Sequence, residues 1–468
     1  MNHFLIVLAV LFLTACQPDH LEIFPPLESE SLLDKKFTVA QLHEDIDYLV
    51  KGAKERHPNL FGYANEAVLH GYVENVKKQI TKPMTRLEFY RFVGQITHKF
   101  NDGHAILLWP YPEFSALEKT EHKPFPFDIS VTKDGSVMLK HDYENVRGES
   151  LAAGTQITHI SGREVTQLMT KLQTYAGGET ALLRQQFVAS RFPLFLWAVT
   201  GMVDEFELQL LVENEPVAFE VSAKHKWKKK ESMLSKQGAQ GESFYYKQLN
   251  AKTGFLYVGH FDIDPDEFET FVDRSFAQIK AQGIKNLIVD VRDNTGGNTD
   301  TVTYLSRHLA DKPFRLVSKL TEKLNSDNRG LFNYKGEVGE MIETEWDDWE
   351  KPVKENVRFT GKTYLLISPV TYSAGIVFAT TLKDNKFATL IGQETGGYAN
   401  QTAQGNLFNL PHSQLRAYIT TRLLVRPSGD TRVTGVIPHF VTEMTQQSLE
   451  SSTDVEVEKA LELISHAN

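Results

Sequence analysis

The chain has 468 residues, of which 41% are hydrophobic and 24% charged. This composition is typical of a globular protein, and the length predicts two or three domains. A formal net charge of −10 argues against nucleic acid as the main partner. The sequence has one cysteine, Cys16, and lacks the HExxH, Walker and GxGxxG motifs, so we expect neither a metal nor an organic cofactor.

The N-terminus has the pattern of a signal peptide. Phe4–Leu13 is apolar, has the length of a signal-peptide core and is too short to span a bilayer. It leads into LTAC, which resembles a bacterial lipoprotein signal, although no lysine or arginine precedes it. The resemblance implies that residues 1–15 are removed, that Cys16 is acylated and that residues 16–37 form a tether. Gln17 resembles an outer-membrane sorting signal. The alternative is a free cysteine in an ordinary signal peptide.

Residues 38–122 predict a helical N-terminal domain. Thr38 and Thr85 each open a capping-box pattern that apolar residues continue at helical spacing. The later helix ends at a clear turn signal, NDG, and His104 follows it at the head of a short apolar strand. A histidine at such a corner can be aimed at a neighbouring domain, although a lone corner histidine is more often structural.

Residues 123–225 predict a second domain. A hairpin pattern comes first, and Ala153–Val165 (AGTQITHISGREV) resembles the core of a PDZ domain. The resemblance implies a groove that takes up a peptide by strand addition; the alternative is a packing domain without a ligand. The basic run Lys224–Lys236 is typical of a solvated hairpin or linker, and we expect residues 226–251 to be a linker.

Residues 252–468 alternate between strand and helix patterns. Leu287–Val291 is a buried strand that leads to Gly296 and Gly297, where backbone N–H groups can face a ligand without a Cβ in the way. Thr363–Leu382 predicts a strand, a turn and a helix with Ser373 at the junction. A serine there can supply a nucleophile and part of an oxyanion hole, or it can be a plain N-cap.

Several motifs together resemble the C-terminal-processing and tricorn-core superfamily of serine peptidases. The resemblance runs from about Thr38 to Val441. It implies a multidomain α/β protein with a ClpP/crotonase-like ββα catalytic domain, a PDZ-like domain and a helical N-terminal domain. The motifs are, in order, ERHPNLFGY (Glu55–Tyr63), EFYRFVGQITHKFNDGHAIL (Glu88–Leu107), DVRDNTGG (Asp290–Gly297), SPVTYSAGIVFATTL (Ser368–Leu382), IGQETGG (Ile391–Gly397) and TGVIP (Thr434–Pro438).

The resemblance implies roles for individual residues. Ser373 matches the nucleophile, and the N–H of Ala374, with one from Gly296 or Gly297, matches the oxyanion hole. The superfamily uses either a lysine base, whose position Tyr398 holds here, or a histidine. A tyrosine with a pKa near 10 is a poor base at neutral pH, whereas His104 matches the histidine of the tricorn core.

The sequence departs from the family pattern around the base. The tricorn core has a serine just before its histidine, linked to a distant glutamate, and Gly103 stands there in this chain. Asp430 and Glu394 are candidates for the acid that orients His104, although either can be an ordinary loop carboxylate. His439 replaces the aspartate that usually follows the GVxP pattern.

We therefore predict a lipid-anchored serine peptidase of the bacterial envelope, on the outer membrane and facing the periplasm, that acts on proteins or peptides. The alternatives are an inactive protein that binds hydrophobic ligands or peptides on the same fold, and an esterase. The substrate, the choice between C-terminal trimming and internal cleavage, peptide binding by the PDZ-like segment, the group that orients His104 and the oligomeric state stay open.

Overall fold

The structure is a computed structural model. It describes residues 27–118, 120, 124–201, 203–222, 226–229, 243–330, 335–451 and 453–466. The predicted signal peptide, Cys16 and the first part of the predicted tether lie outside these residues. Within the described ranges, no helix is long and apolar enough to cross a membrane.

Helices and strands alternate through much of the chain. The α-helices of the described residues are α1 (Val39–Arg56), α2 (Leu60–Tyr63), α3 (Glu66–Gln79), α4 (Arg86–Val93), α5 (Tyr111–Glu118), α6 (Val165–Leu172), α7 (Ala181–Ser190), α8 (Phe192–Thr200), α9 (Pro265–Ala281), α10 (Thr299–Leu309), α11 (Ala374–Asp384), α12 (Gln446–Glu450) and α13 (Val455–His466). Short 3₁₀ helices are Glu30–Leu32, Gly94–Lys99 and Gln173–Tyr175. The strands are β1 (Ala105–Leu107), β2 (Ile129–Val131), β3 (Val137–Leu139), β4 (Tyr143–Asn145), β5 (Ser150–Leu151), β6 (Gln156–Ile160), β7 (Arg163–Glu164), β8 (Glu205–Val212), β9 (Glu215–Ser222), β10 (Trp227–Lys229), β11 (Phe244–Asn250), β12 (Thr253–Val258), β13 (Asn286–Asp290), β14 (Lys319–Lys323), β15 (Met341–Glu345), β16 (Lys362–Ile367), β17 (Thr389–Gly392), β18 (Thr402–Asn409), β19 (Arg416–Val425) and β20 (Phe440–Val441).

The N-terminal region is helical, as predicted. Both capping boxes are formed, at Thr38 before α1 and at Thr85 before α4, and the apolar faces of α1, α3 and α4 pack in one core. The end of the predicted tether differs from the expectation. Leu32 is buried, and Phe37 is buried and bridges to Met84, because their apolar side chains complete that core.

Residues 124–222 form a largely antiparallel unit. Its main sheet has the order β2-β3-β6-β8-β9, and β7 pairs with β6. The predicted hairpin is present as β2 and β3. Helices α6, α7 and α8 contribute to the apolar core of this unit. The PDZ-like character of the unit stays a prediction.

The largest sheet of the C-terminal region has the order β11-β12-β13-β16-β17-β20. Neighbours from β12 to β20 are parallel, and β11 is an antiparallel edge strand. Strand β13 is buried throughout, because α9, α10 and α11 pack on one face of the sheet and α13 on the other. Strand β11 lies within residues 226–251, which the sequence predicts to be a linker. This segment instead pairs with β12 in the sheet, and Tyr245 stacks on Tyr257 at 5.2 Å between ring centroids.

Strands β18 and β19 belong to a different sheet. This sheet has the order β1-β19-β14-β15, with β18 paired to β19. Strand β1 therefore joins the N-terminal region to the C-terminal one, and Phe408 and Ile419 lie in the core of the N-terminal helices. A boundary drawn along the chain misses this pairing, because its partners are about three hundred residues apart in sequence. The predicted multidomain α/β class is confirmed.

Candidate active site

Ser373 stands at the predicted junction between β16 and α11. Its backbone has φ 52° and ψ −121°, which is a strained conformation for a residue other than glycine. The preceding turn is tied to the end of β13: the Thr371 hydroxyl donates to the Val291 carbonyl at 2.8 Å, and the Tyr372 N–H donates to the Asn294 carbonyl at 2.9 Å. The Ser373 side chain makes no capping hydrogen bond, so the plain N-cap alternative is not supported.

Gly296 lies against Ser373. A Cβ at Gly296 would come within 2.6 Å of the Ser373 Cβ and 3.1 Å of the Ala374 nitrogen, and the residue has φ 112°. Only glycine fits here. The Gly296 N–H donates to the Asn294 side chain at 2.9 Å, so it is not available to a substrate.

Two backbone N–H groups near Ser373, those of Ala374 and Gly297, are candidates for the oxyanion hole. Within the described part of the chain, neither the Ala374 N–H nor the Gly297 N–H has a hydrogen-bond partner. Gly297 has φ 136° and packs so closely on Phe261 that a Cβ would come within 2.0 Å of its carbonyl carbon. Of the two predicted glycines, Gly297 is therefore the one with an N–H free to meet an oxyanion.

His104 reaches the same corner from the turn before β1. Its ring stacks on the ring of Tyr372 at 4.7 Å, and its Nδ1 lies 3.1 Å from the Thr402 hydroxyl. Tyr372 directly precedes Ser373, and Gln401, next to Thr402, donates from its side chain to the Ser373 carbonyl at 2.9 Å. The structure thus brings the predicted base and the predicted nucleophile to one site.

The hydrogen bonds around His104 determine which nitrogen carries the proton. Its Nδ1 lies 3.1 Å from both the Thr402 and the Tyr372 hydroxyl oxygens. Those hydroxyls donate hydrogen bonds to acidic side chains, Thr402 to Asp102 at 2.8 Å and Tyr372 to Glu179 at 2.9 Å. The Nδ1 atom must therefore be the donor. Nε2 keeps its lone pair, and it is buried without a partner among the described residues.

Burial keeps His104 neutral. Burial lowers the pKa of His104, while the nearby Asp102 opposes that shift. Burial would raise the pKa of Asp102, but hydrogen bonding to His57, whose Nε2 is 2.8 Å away, lowers it. The Asn59 N–H donates to Nδ1 of His57, so Nε2 of His57 is the atom that carries a proton toward Asp102. The ionised carboxylate of Asp102 thus lies near the neutral ring of His104.

Glu179 differs from Asp102 in its charge state. Burial, with a contribution from Asp102, raises the pKa of Glu179 to about 8. The carboxyl is therefore mostly protonated at neutral pH, and it still accepts the Tyr372 hydroxyl proton at Oε1. Asp102 is thus linked to His104 through the Thr402 hydroxyl, and Glu179 through the Tyr372 hydroxyl. Asp102 is ionised, whereas Glu179 is neutral.

The acids that the sequence suggested lie elsewhere. The Asp430 carboxylate pairs with Arg432, and the Glu394 carboxylate accepts the Gly435 N–H at 2.8 Å. Neither is among the hydrogen-bond partners of His104 in the described part of the chain. Tyr398 is a poor base, because burial and the nearby Glu179 raise its pKa further.

Gly103 has a steric explanation. A Cβ at Gly103 would lie 2.5 Å from the Tyr372 hydroxyl oxygen. A serine therefore does not fit before His104, and the Tyr372 hydroxyl contacts the ring instead. The sequence pattern does not single out Asp102 or Tyr372, although Asp102 lies two residues before His104 and Tyr372 directly precedes Ser373. Nor does it single out Glu179 and Thr402, for which no local signal exists because their partners are far apart in sequence.

Comparison with known proteins assigns a family to the C-terminal region. Residues 252–442 match the model of Peptidase family S41. The chain carries a peptidase family S41 domain. A curated relative, the carboxyl-terminal-processing protease of Picosynechococcus sp., is 23% identical over 216 residues, which are 46% of this chain and 45% of that protein. The alignment thus spans less than half of the relative. Together with the family match, it confirms the predicted superfamily.

The likeness to solved structures extends beyond the S41 domain. Mature CPAF complexed with lactacystin has a TM-score of 0.65 at 14% identity, covering 91% of this chain and 97% of that chain. Another structure of mature CPAF also gives 0.65 and covers 90% of this chain and 96% of that one. At this identity the likeness shows a common fold.

Proposed function

We propose that the protein is a serine peptidase that hydrolyses peptide bonds of proteins or peptides, with Ser373 as nucleophile and His104 as base. The observation that carries the proposal is the state of His104. Its Nδ1–H is held by two hydroxyls that bond to acids, and its Nε2 has no partner among the described residues. Its ring stacks on that of Tyr372, the residue before Ser373. A carrier or packing protein has no need for a base held in this way.

The reaction follows from the geometry. Ser373 Oγ attacks the substrate carbonyl carbon as its proton passes to Nε2 of His104, and the carbonyl oxygen becomes an oxyanion that accepts the Ala374 and Gly297 N–H groups. The C–N bond then breaks as His104 returns the proton to the leaving amine. A water molecule repeats the sequence on the acyl-enzyme, which releases the acid and restores Ser373. Loss of one oxyanion donor typically costs about 3 kcal/mol of transition-state stabilisation.

Asp102 and Thr402 have supporting roles in this mechanism. When His104 takes the proton, the negative charge of Asp102 stabilises the imidazolium through the Thr402 hydroxyl. Asp102 also accepts the His104 backbone N–H at 2.7 Å, which fixes the turn that carries the ring. Both act on His104, so they are positioning residues.

The location of the protein is part of the proposal. We infer that residues 1–15 are a signal peptide, that Cys16 carries the lipid anchor and that the enzyme faces the periplasm from the outer membrane. Cys16→Ala should move the protein from the membrane fraction to the soluble periplasmic fraction, and an unchanged membrane fraction would overturn the anchor. The unit of residues 124–222 is a candidate for peptide capture or delivery to the S41 domain.

The test is hydrolysis of quenched, labelled casein by a soluble form that starts at Gln17. Wild type should cleave it, and Ser373→Ala and His104→Ala, still folded by circular dichroism, should fall to background. Equal inactivity of all three proteins on several unfolded substrates would overturn the proposal and favour a binding protein. Turnover of esters alone would identify an esterase.

A further inference from the structure

The C-terminal segment of the chain, residues 443–466, lies beyond the S41 match, which ends at residue 442. Its last helix, α13, packs on the face of the sheet opposite to α11, where its apolar side chains join those of β13 and β16 in one core. Two acidic side chains at the start of this helix, Asp454 and Glu456, form ion pairs with Arg292. Arg292 belongs to residues 291–297, the oxyanion loop, which follows β13 and ends at Gly297.

The guanidinium of Arg292 joins this segment to the loop. Among the described residues it makes five hydrogen bonds, one for each of its N–H groups. Two go to Asp290 at the end of β13, at 3.0 and 2.7 Å, and two go to Asp454, at 2.8 and 2.7 Å. The fifth goes to Glu456 at 2.8 Å. Paired donors on two carboxylates fix the plane of the guanidinium.

The charges of Arg292 and Asp454 make these hydrogen bonds strong. Burial would raise the pKa of Asp454, but the charge of Arg292 lowers it, so Asp454 is ionised at neutral pH. Burial would also lower the pKa of Arg292, but the charges of Asp290 and Asp454 raise it. Partly buried ion pairs add little net stability, because desolvation offsets their attraction. What this network fixes is geometry.

The backbone of Arg292 carries that geometry to both catalytic loops. The Ser368 hydroxyl, directly after β16, donates to the Arg292 carbonyl at 2.5 Å. Ser368 begins the turn that leads to Ser373. The Arg292 N–H donates to Asp290 at 3.0 Å, and the chain then continues to Gly297. One residue thus connects α13 to the loop of the nucleophile and to the oxyanion loop.

We propose that the C-terminal segment holds the oxyanion loop in place through Arg292, with Asp454 and Glu456 as positioning residues. The proposal rests on the peptidase function above and adds residues outside the S41 match to the machinery of that site. The two acids act through the loop backbone, and the oxyanion forms only in the transition state. Their loss should therefore lower kcat and leave KM nearly unchanged.

Asp454→Asn tests this connection. The amide removes the charge, but Arg292 keeps Asp290 and Glu456 as partners, so the variant should fold. The donors of the oxyanion hole are then displaced rather than removed. We expect kcat on quenched, labelled casein to fall by about tenfold, less than the roughly hundredfold or more that loss of a whole donor costs.

Two variants of the same helix are controls, measured well below their unfolding midpoints. Glu458→Gln removes an exposed charge from the first turn of α13 and should keep both stability and kcat. Val457→Ala removes apolar contacts with the sheet and keeps the backbone N–H that Asp454 accepts. It should lose stability in denaturant and keep kcat. Equal loss of kcat in Val457→Ala and Asp454→Asn, or wild-type kcat in Asp454→Asn, would overturn the positioning role.

Hydrogen exchange followed by mass spectrometry tests the connection without turnover. Peptides that cover residues 291–297 should exchange faster in Asp454→Asn than in wild type, and at wild-type rates in Glu458→Gln. Wild-type exchange there in Asp454→Asn would overturn the proposal even if kcat falls. Faster exchange, with no cleavage by wild type, would support the connection and overturn the peptidase function. If Asp454→Asn fails to fold, Glu456→Gln replaces it under the same criteria.

Discussion

Ser373 and its oxyanion donors come from two loops at the ends of neighbouring parallel strands, β13 and β16, whereas His104 is held by side chains from distant parts of the chain. The nucleophile side depends on local backbone shape: a serine with positive φ and two closely packed glycines. The base side depends on hydrogen bonds across the fold. Substitutions on the two sides should therefore fail in different ways.

A large effect should come from Gly296→Ala on the nucleophile side. The added Cβ would lie 2.6 Å from the Ser373 Cβ, so the serine or the turn must move. A displacement of about 1 Å at a catalytic group costs about a hundredfold in rate, and we expect kcat to fall by at least about that factor.

Gly283→Ala is the matched control for Gly296→Ala. Gly283 also has positive φ, 65°, but a Cβ there meets nothing within 4 Å. It should lose some stability and keep its activity. Similar kcat values for Gly296→Ala and wild type in a casein assay would contradict the predicted contact.

Asp102→Asn tests the base side, where we expect kcat to fall on the order of 10²- to 10⁴-fold. The amide removes the charge behind His104 and disturbs the hydrogen bonds that Asp102 accepts from His57, Thr402 and the His104 backbone. Stability should fall as well, since all these groups are buried. Asp430→Asn is the control, because that carboxylate pairs with Arg432; a comparable loss of kcat there would reinstate Asp430 as the orienting acid.

The pH profile reports on the environment of the base. Burial lowers the pKa of His104 below its ordinary value of 6.5. The reaction needs neutral His104, so activity is lost as pH falls through that lowered pKa. The acid limb of kcat/KM should therefore have its midpoint below pH 6.5, and it should move lower still in Asp102→Asn, which lacks the opposing charge. A midpoint above pH 7 would contradict the buried, neutral base.

The smallest effect should come from Glu179→Gln, and it should appear in stability. Burial raises the pKa of Glu179 to about 8 from an ordinary 4.5. The folded state therefore binds more protons than the unfolded one between these values, and the free energy of unfolding falls as pH rises from 4.5 to 8. Glutamine removes that slope while it keeps an acceptor for the Tyr372 hydroxyl. Denaturant unfolding at pH 5 and pH 8 should show a flatter dependence in the variant; an unchanged slope would exclude a protonated Glu179.

The sequence predicts the nucleophile side better than the base side, because the first is local and the second depends on distant contacts. The strand–turn–helix around Ser373 and the glycines after β13 are written in contiguous residues, so apolar runs and turn signals predict them. The corner that carries His104 is also local. The contacts of Thr402 with Asp102 and of Tyr372 with Glu179 join residues about two to three hundred positions apart. No periodicity encodes them, and no sequence pattern shows that β1 pairs with β19. The sequence therefore predicts the loop carboxylates of Asp430 and Glu394 instead.

Covalent labelling by a fluorophosphonate is the most direct test of whether the two sides meet. The probe reacts with a serine whose proton a neighbouring base removes. We predict that peptide mapping of the wild-type protein finds the label on Ser373, and that His104→Gln, folded to the same extent, reacts at least about a hundredfold more slowly. Labelling of Ser373 at equal rates in both proteins, or no label on Ser373 in wild type, would contradict the account.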